Sequence, residues 1–196
     1  MEFLIKFLAG CGLAIPCGIK PYLPLGVLSV AGLGGRIPLS APYSFLATWT
    51  AVIVLVVLIG IDIFADKLPQ IEKLYTYLNY IIRPVAGAIA FAAIVPPTVI
   101  DTGVSFLLGM VLAEVTYLIK TVLRPAIASS SRTASVVEPL ISSGENILAV
   151  ALAMITVLSG IVGGVLSLLV LLGMLGLLFA VRRRNRTGIG VATNLK

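Results

Sequence analysis

The sequence predicts an all-α fold, namely a polytopic transmembrane helical bundle with about six spans. Hydrophobic residues make up 59% of the chain and charged residues only 11%, whereas soluble domains carry about a quarter of charged residues. The mean hydropathy is +1.13, and several apolar runs approach the roughly 20 residues that a helix needs to cross a bilayer. A soluble domain of this size leaves about a third of its chain's surface in water, and so apolar a chain could not bury enough of its apolar surface. A soluble enzyme is therefore excluded.

The first apolar region, residues 3–33, is too long for one span and contains several helix breakers. Pro16, Pro21 and Pro24 fall within it, and Lys20 directly precedes Pro21. Proline removes a backbone donor and interrupts a helix, and irregular backbone occurs at membrane depth only where protein or a watery cavity covers it. We therefore expect the first segment to be broken or re-entrant between Pro16 and Pro21.

The rest of the chain supplies five further predicted spans. The uncharged stretch 146–181 is too long for one helix, and Ser159 with Gly160 offers a turn inside it. The predicted spans after the first are 44–65, 79–95, 104–122, 147–159 and 163–181. Together they form a single transmembrane domain over residues 1–181, followed by a basic tail over residues 182–196.

An even number of spans places both termini on one side of the membrane. The tail carries four arginines between Arg182 and Arg186, and basic residues accumulate on the cytoplasmic side of membrane proteins. We expect a multi-pass protein of the cell (cytoplasmic) membrane with both termini in the cytoplasm. Membrane lipids are its expected partners, with anionic headgroups at the Arg182 to Arg186 tail. No nucleic acid is expected, and a homo-oligomer is left open.

The residue types that are missing exclude several kinds of chemistry. The chain has no histidine, which excludes catalytic triads and histidine metal sites. Cys11 and Cys17 are the two cysteines, and two thiols cannot complete a four-ligand metal site. Phosphate-binding glycine motifs are absent as well. We therefore expect no metal site and no cofactor, and we do not expect an enzyme.

Ionisable residues inside apolar segments are the candidate functional residues. Each costs about 2.5–3.5 kcal/mol on insertion scales, so such residues usually face the interior of the bundle and often mark a pathway. The cations expected to bind substrate are Lys20, Arg83, Lys120 and Arg124. The acids expected to act as counter-charges or in proton coupling are Asp62, Asp66 and Glu114.

Further polar residues are expected to line the same site. They are Tyr77, Tyr80, Glu138, Glu145 and Asn146. The alternative is that the charged residues only form interhelical ion pairs that fix packing, with lysine and arginine reaching towards the headgroups. Both interpretations stay open at this point.

A cation followed by proline occurs three times in the chain. The dipeptides begin at Lys20, Arg83 and Arg124. A cation beside a proline break can join freed backbone groups to hold an anion, as in discontinuous transporter helices. The three dipeptides also suggest an inverted repeat of three spans each (3+3), although the two halves of the chain share no sustained residue identity.

Four segments resemble a family of small bacterial membrane proteins that is catalogued only as a domain of unknown function. They are residues 18–25, 65–69, 83–88 and 138–146. The resemblance covers most of residues 10–180. The family commonly has Arg where this chain has Lys20, so the cation is kept and the bidentate donor of arginine is lost. The resemblance implies no activity, but several of the polar residues above fall within these segments, namely Lys20, Asp66, Arg83, Glu138, Glu145 and Asn146.

The sequence favours a carrier or flippase for a small or lipid-linked anion with a cationic intramembrane site. A first alternative is a membrane scaffold or assembly subunit that transports nothing. A second alternative is an intramembrane lipid-modifying enzyme, in which Asp62 and Asp66 would be the acid and the base. The substrate, the coupling ion and the oligomeric state cannot be read from the sequence.

Overall fold

The computed structural model is all-helical over the part of the chain that it describes. It describes residues 1–65, 72–128 and 134–193, with side chains for 1–64, 78–125 and 140–183. The helices are α1 (Glu2–Ile19), α2 (Tyr22–Leu33), α3 (Trp49–Ala65), α4 (Glu72–Ile94), α5 (Thr102–Ala128), α6 (Ala134–Leu158) and α7 (Gly160–Thr193). A 3-10 helix, Ala41–Ala47, precedes α3. The predicted all-α class is thereby confirmed.

Several helices have the length and composition of membrane spans. Four qualify by themselves: Glu2–Ile19, Thr102–Pro125, Leu140–Leu158 and Gly160–Arg183. A fifth is reached if the 3-10 helix and α3, which are bent by 68° at their junction, count as one span. The apolar part of α4, Leu78–Ile94, is shorter. The described residues thus support four to five candidate spans, and six spans and the inverted repeat stay predictions.

Helix α1 lies at the centre of the bundle. Every residue from Ala9 to Lys20 is buried, and α1 packs against α4, α5, α6 and α7. Small residues allow this close packing. A side chain at Gly10 would collide with Phe91, and one at Gly18 would collide with the backbone of Ala113. Helix interfaces in membranes generally use small residues in this way.

The contacts of α1 define the directions of its neighbours. Gly10 lies against Phe91 of α4, whereas Gly18 lies beside Arg83, so α1 and α4 run antiparallel. Ala9 lies against Gly160 at the start of α7, and Gly12 accepts a hydrogen bond from Ser167. Helices α1 and α7 therefore run in the same direction.

The chain turns back after α1. Ser40, which follows α2, donates its backbone N–H to Ala93 O at 2.9 Å and its hydroxyl to Val95 O at 3.2 Å. These carbonyls are at the C-terminal end of α4, which is also where the N-terminal half of α1 lies. Helices α1 and α2 thus form a hairpin whose tip is at Lys20 and Pro21, and we call this tip the α1–α2 break.

Candidate functional site

The α1–α2 break leaves backbone carbonyls without their usual helical partners. Helix α1 ends at Ile19, and Lys20 has an extended backbone with φ −144° and ψ 108°. The N–H of Lys20 still bonds Pro16 O at 2.9 Å, but Pro21 has no N–H to continue the helix. The last carbonyls of a helix carry the negative end of its dipole. This end of α1 therefore favours cations.

Two cations from other helices bind the freed carbonyls. Arg83 on α4 donates from Nη1 to Gly18 O at 3.3 Å. Lys120 on α5 donates from Nζ to Ile19 O at 2.8 Å. Both residues are buried, at 7% and 6% exposure. The break is thus the point at which α1, α4 and α5 are joined by charge-assisted hydrogen bonds.

Two carboxylates complete the arrangement. Asp62 near the end of α3 lies 3.2 Å from Lys20 Nζ through its Oδ2, and both side chains are almost wholly buried. Glu145 on α6 lies 2.8 Å from Lys120 Nζ through its Oε2. We call Lys20, Arg83, Lys120, Asp62 and Glu145 the ionic cluster. Four helices, α3 to α6, and the break contribute residues to this cluster, so it forms only when the bundle is assembled.

An aromatic pair borders the ionic cluster on α4 and α5. The guanidinium carbon of Arg83 lies 4.2 Å from the centroid of the Tyr117 ring, which is a cation–π geometry. Tyr80 packs edge-on against Tyr117 with 5.5 Å between ring centroids. Tyr80 is itself 52% exposed, so it supports the aromatic partner of Arg83.

Three buried oxygen atoms beside the cluster have no hydrogen-bond donor within the described residues. They are Asn79 Oδ1, Glu114 Oε2 and Asn146 Oδ1. Asn79 is one helical turn from Arg83, Glu114 is within the electrostatic reach of Arg83, and Asn146 follows Glu145. Buried polar atoms are usually satisfied by protein or by ordered water. These atoms therefore favour water, or a hydrogen-bonding ligand, next to the cluster.

The structure brings together part of the predicted site. Of the predicted cations, Lys20, Arg83 and Lys120 meet at the break, whereas Arg124 is only partly buried and makes no hydrogen bond or ion pair with another described residue. Asp62 and Glu145 are bound as described above. Asp66 lies outside the described residues, and so do the side chains of Tyr77 and Glu138.

Sequence reasoning missed two residues of this region. Tyr117 faces Arg83, and Asn79 is 4% exposed beside it. The signal that could have found them is helical spacing. Tyr117 precedes Lys120 by three positions, and Asn79 precedes Arg83 by four, so each pair shares a helix face.

Comparison with models of protein families gives a match over most of the chain. The model of a family described as a domain of unknown function (DUF4126) matches residues 7–180. No curated protein and no solved structure matches the chain. The matched range includes the break, both ion pairs and the aromatic pair.

Proposed function

This chain belongs to the DUF4126 family, described as a domain of unknown function, and we propose that it is a membrane carrier or flippase for a small or lipid-linked anion. One observation carries this proposal. Three buried cations, Lys20, Arg83 and Lys120, meet at a break in the central helical hairpin. Buried cations beside broken helices are typical of binding sites for anions in transporters.

The start of α2 adds a second feature that suits an anion. Helix α2 begins at Tyr22, directly after the break, and no side chain in the described ranges caps its first turn. The N-terminal end of a helix carries a partial positive charge and bare N–H groups. An anion at the break would therefore meet this helix end as well as the cations.

We propose that the anion binds by exchange with a carboxylate. Lys20 is neutralised by Asp62 at 3.2 Å, and an anion that replaced Asp62 would keep this charge compensated. The exchange keeps Lys20 paired, and the displaced Asp62 carboxylate would have to reach water or take up a proton, because an unpaired buried charge is the costly state. Because Asp62 belongs to α3, the exchange would also loosen the attachment of α3 to the break. Anion occupancy and the position of α3 would then be coupled.

Water would provide access for such an anion. The oxygens of Asn79, Glu114 and Asn146 that have no donor among the described residues belong to helices of the cluster, and buried water bonded to such atoms is a normal part of protein structure. Of the three acids that the sequence predicts as counter-charges or in proton coupling, Glu114 would then be the one best placed for proton coupling. A dry, fully satisfied core would give no reason for these three atoms to lack donors within the part of the chain that the structure describes.

The orientation in the membrane belongs to the same proposal. We place the end of α7 that carries Arg182 and Arg183 in the cytoplasm, because basic residues accumulate there. The parallel course of α1 and α7 then favours an N-terminus on the opposite side. This differs from the expectation of two cytoplasmic termini, which stays an untested prediction, because α1 and α2 form a hairpin in place of one broken span. The lipid contacts of the tail and a homo-oligomer stay predictions.

A scaffold without transport is the second candidate, and one observation favours it. Each cation of the ionic cluster already has a protein acceptor, whether a carboxylate or a backbone carbonyl. Such a cluster could serve only to fix the helices. By contrast, the reading as a lipid-modifying enzyme gains no support, because Asp62 is engaged by Lys20 and Asp66 lies outside the described residues.

Opposite responses to two neutralising substitutions separate these candidates. We would measure binding of inorganic phosphate, sulfate and succinate to the reconstituted protein, efflux of the same anions, and flip of a fluorescent anionic phospholipid. In a carrier, Lys20→Met weakens anion binding by at least about tenfold, the loss expected for a charged hydrogen bond. Asp62→Asn removes the competing carboxylate and tightens binding.

A scaffold gives a different result in the same experiment. Both single variants then lower the midpoint of thermal unfolding, and the double variant Lys20→Met with Asp62→Asn recovers most of the loss, because no unpaired charge remains. Lys6→Met, at a partly exposed cation near the N-terminus, is the control and should change neither measurement. The carrier proposal would be overturned if no probe showed binding, efflux or lipid flip and the double variant recovered the midpoint of thermal unfolding.

A further inference from the structure

An apolar groove lies on the outside of the bundle along α2. Its volume is about 590 Å³, within the roughly 300–1,000 Å³ of sites that hold small molecules. Residues of α2 form its floor, and residues of α3 and α6 form its two walls. Val30, Val56 and Met154 line the floor and the walls, and all three are about half exposed. We call this feature the α2 groove.

The α2 groove has one charged residue, at one end. Arg36 lines that end, and the other lining residues are apolar or glycine. Arg36 is exposed, in the turn that follows α2. The opposite end is at Leu23, three residues after Lys20 at the break. The groove therefore runs from a cation at the end of the bundle to the interior tip of the hairpin.

The length of the groove fits one leaflet of a bilayer. Its floor extends from Leu23 to Gly34, which is about 17 Å of helix at 1.5 Å per residue. Half of the hydrocarbon core of a bilayer is about 15 Å thick. A lipid whose headgroup lies at Arg36 would have an acyl chain that reaches the depth of Leu23.

The charge and the apolar lining of the groove select its occupant. Every lining residue except Arg36 is apolar or glycine, so the groove suits hydrocarbon, and its length matches an acyl chain of one leaflet. The guanidinium of Arg36 would pair with a phosphate, and basic residues at this level attract anionic lipids. We propose that the α2 groove binds one acyl chain of an anionic phospholipid, with the lipid phosphate at Arg36.

This proposal does not rest on the proposed function, since a bound lipid can be structural in a carrier or in a scaffold. It also differs from the predicted lipid contact of the basic tail. The tail leaves the bundle at the far end of α7, whereas the groove opens at the end where α1 begins.

The single tryptophan of the chain provides the probe. Trp49 is 72% exposed and precedes Val52 of the groove wall by three positions on α3, so the two residues share a helix face. The full chain is reconstituted in bilayers that contain phospholipids with brominated acyl chains, which quench tryptophan on contact. The relative binding constant of brominated phosphatidylglycerol over brominated phosphatidylcholine is then obtained from the quenching of Trp49.

We expect the anionic lipid to be preferred by about fivefold, the ratio that one basic residue provides near a membrane surface. Arg36→Gln should reduce the ratio to about one. Lys6→Gln, which removes a cation at the same end of the bundle, should leave it unchanged. Equal binding of the two lipids in the wild-type protein, or an unchanged ratio in Arg36→Gln, overturns the proposal.

A groove-filling variant tests the acyl chain separately from the headgroup. Val30 in the groove and Val111 on α5 are both 56% exposed, so Val30→Phe and Val111→Phe are matched. Native mass spectrometry of the detergent-extracted protein should show one retained anionic phospholipid in the wild type and in Val111→Phe, and much less in Val30→Phe. Equal retention in all three proteins overturns the proposal. So does a wild-type dimer that Val30→Phe dissociates, because a second copy would then occupy the groove.

Discussion

Replacing Lys120 tests how strongly the ionic cluster holds the helices together. The Nζ atom of Lys120 lies 2.8 Å from Glu145 Oε2 and 2.8 Å from Ile19 O, and only 7% of its side chain is exposed. Lys120→Met removes both contacts and leaves a carboxylate that is 14% exposed without its cation. Breaking one side of a buried ion pair costs about 3–5 kcal/mol, and we expect a loss of unfolding free energy in this range.

Glu145→Gln should cost less, about 1–3 kcal/mol, because Lys120 keeps its bond to Ile19 O. The double variant should lose less than the two single losses added together, by about 1–3 kcal/mol, since neither group is then left charged and unpaired. The assay is reversible unfolding in mixed micelles, followed by circular dichroism and the fluorescence of Trp49. Arg124→Met, one turn further along α5, is the control and should stay within about 0.5 kcal/mol. A Lys120→Met variant as stable as this control, or strictly additive losses, would refute the reasoning.

Three further predictions test the packing around the ionic cluster. Gly18→Ala should prevent stable folding or strongly lower the midpoint of thermal unfolding, because its Cβ would collide with the Ala113 backbone. The control Gly173→Ala, which has open space around it, should leave this midpoint unchanged or raise it slightly. Tyr117→Leu should lower the free energy of unfolding by about 0.5–2 kcal/mol, because the ring under Arg83 is lost. Tyr117→Phe keeps the ring and should retain most of this stability. Equal losses in the two variants would contradict the cation–π contact. Cys11 and Cys17 are at most 1% exposed, so a maleimide should label neither thiol until the protein is unfolded; rapid labelling of the folded protein would contradict a central α1.

The sequence was sufficient for features that depend on neighbouring residues. Pro21 lacks a backbone donor wherever it lies in a helix, so the interruption after Lys20 could be predicted locally. The helical class followed from apolar run lengths. The three buried cations could be predicted as site residues, because a charge within an apolar run must find a partner inside the bundle.

Pairing between distant residues could not be predicted in the same way. Lys20 and Asp62 are 42 positions apart, and their contact depends on how α3 returns along α2. Arg124 has the same dipeptide context as Arg83, yet it lies one helical turn beyond Lys120 and makes no hydrogen bond or ion pair with another described residue. The direction of α2 depends on the packing of α1 against four other helices. Nothing in residues 3–33 alone distinguishes a helix that crosses from one that turns back.

Access of water to the ionic cluster is tested most directly by a cysteine at position 79. Asn79 is 4% exposed, one turn from Arg83, and its Oδ1 has no donor within the described residues. Asn79→Cys would be made in a background with Cys11→Ala and Cys17→Ala and treated with anionic, cationic and uncharged methanethiosulfonate reagents of similar size. A hydrated cationic site predicts reaction with the anionic reagent, faster than with the cationic one. Reaction with the uncharged, membrane-permeant reagent alone would contradict it, because the cluster would then be dry.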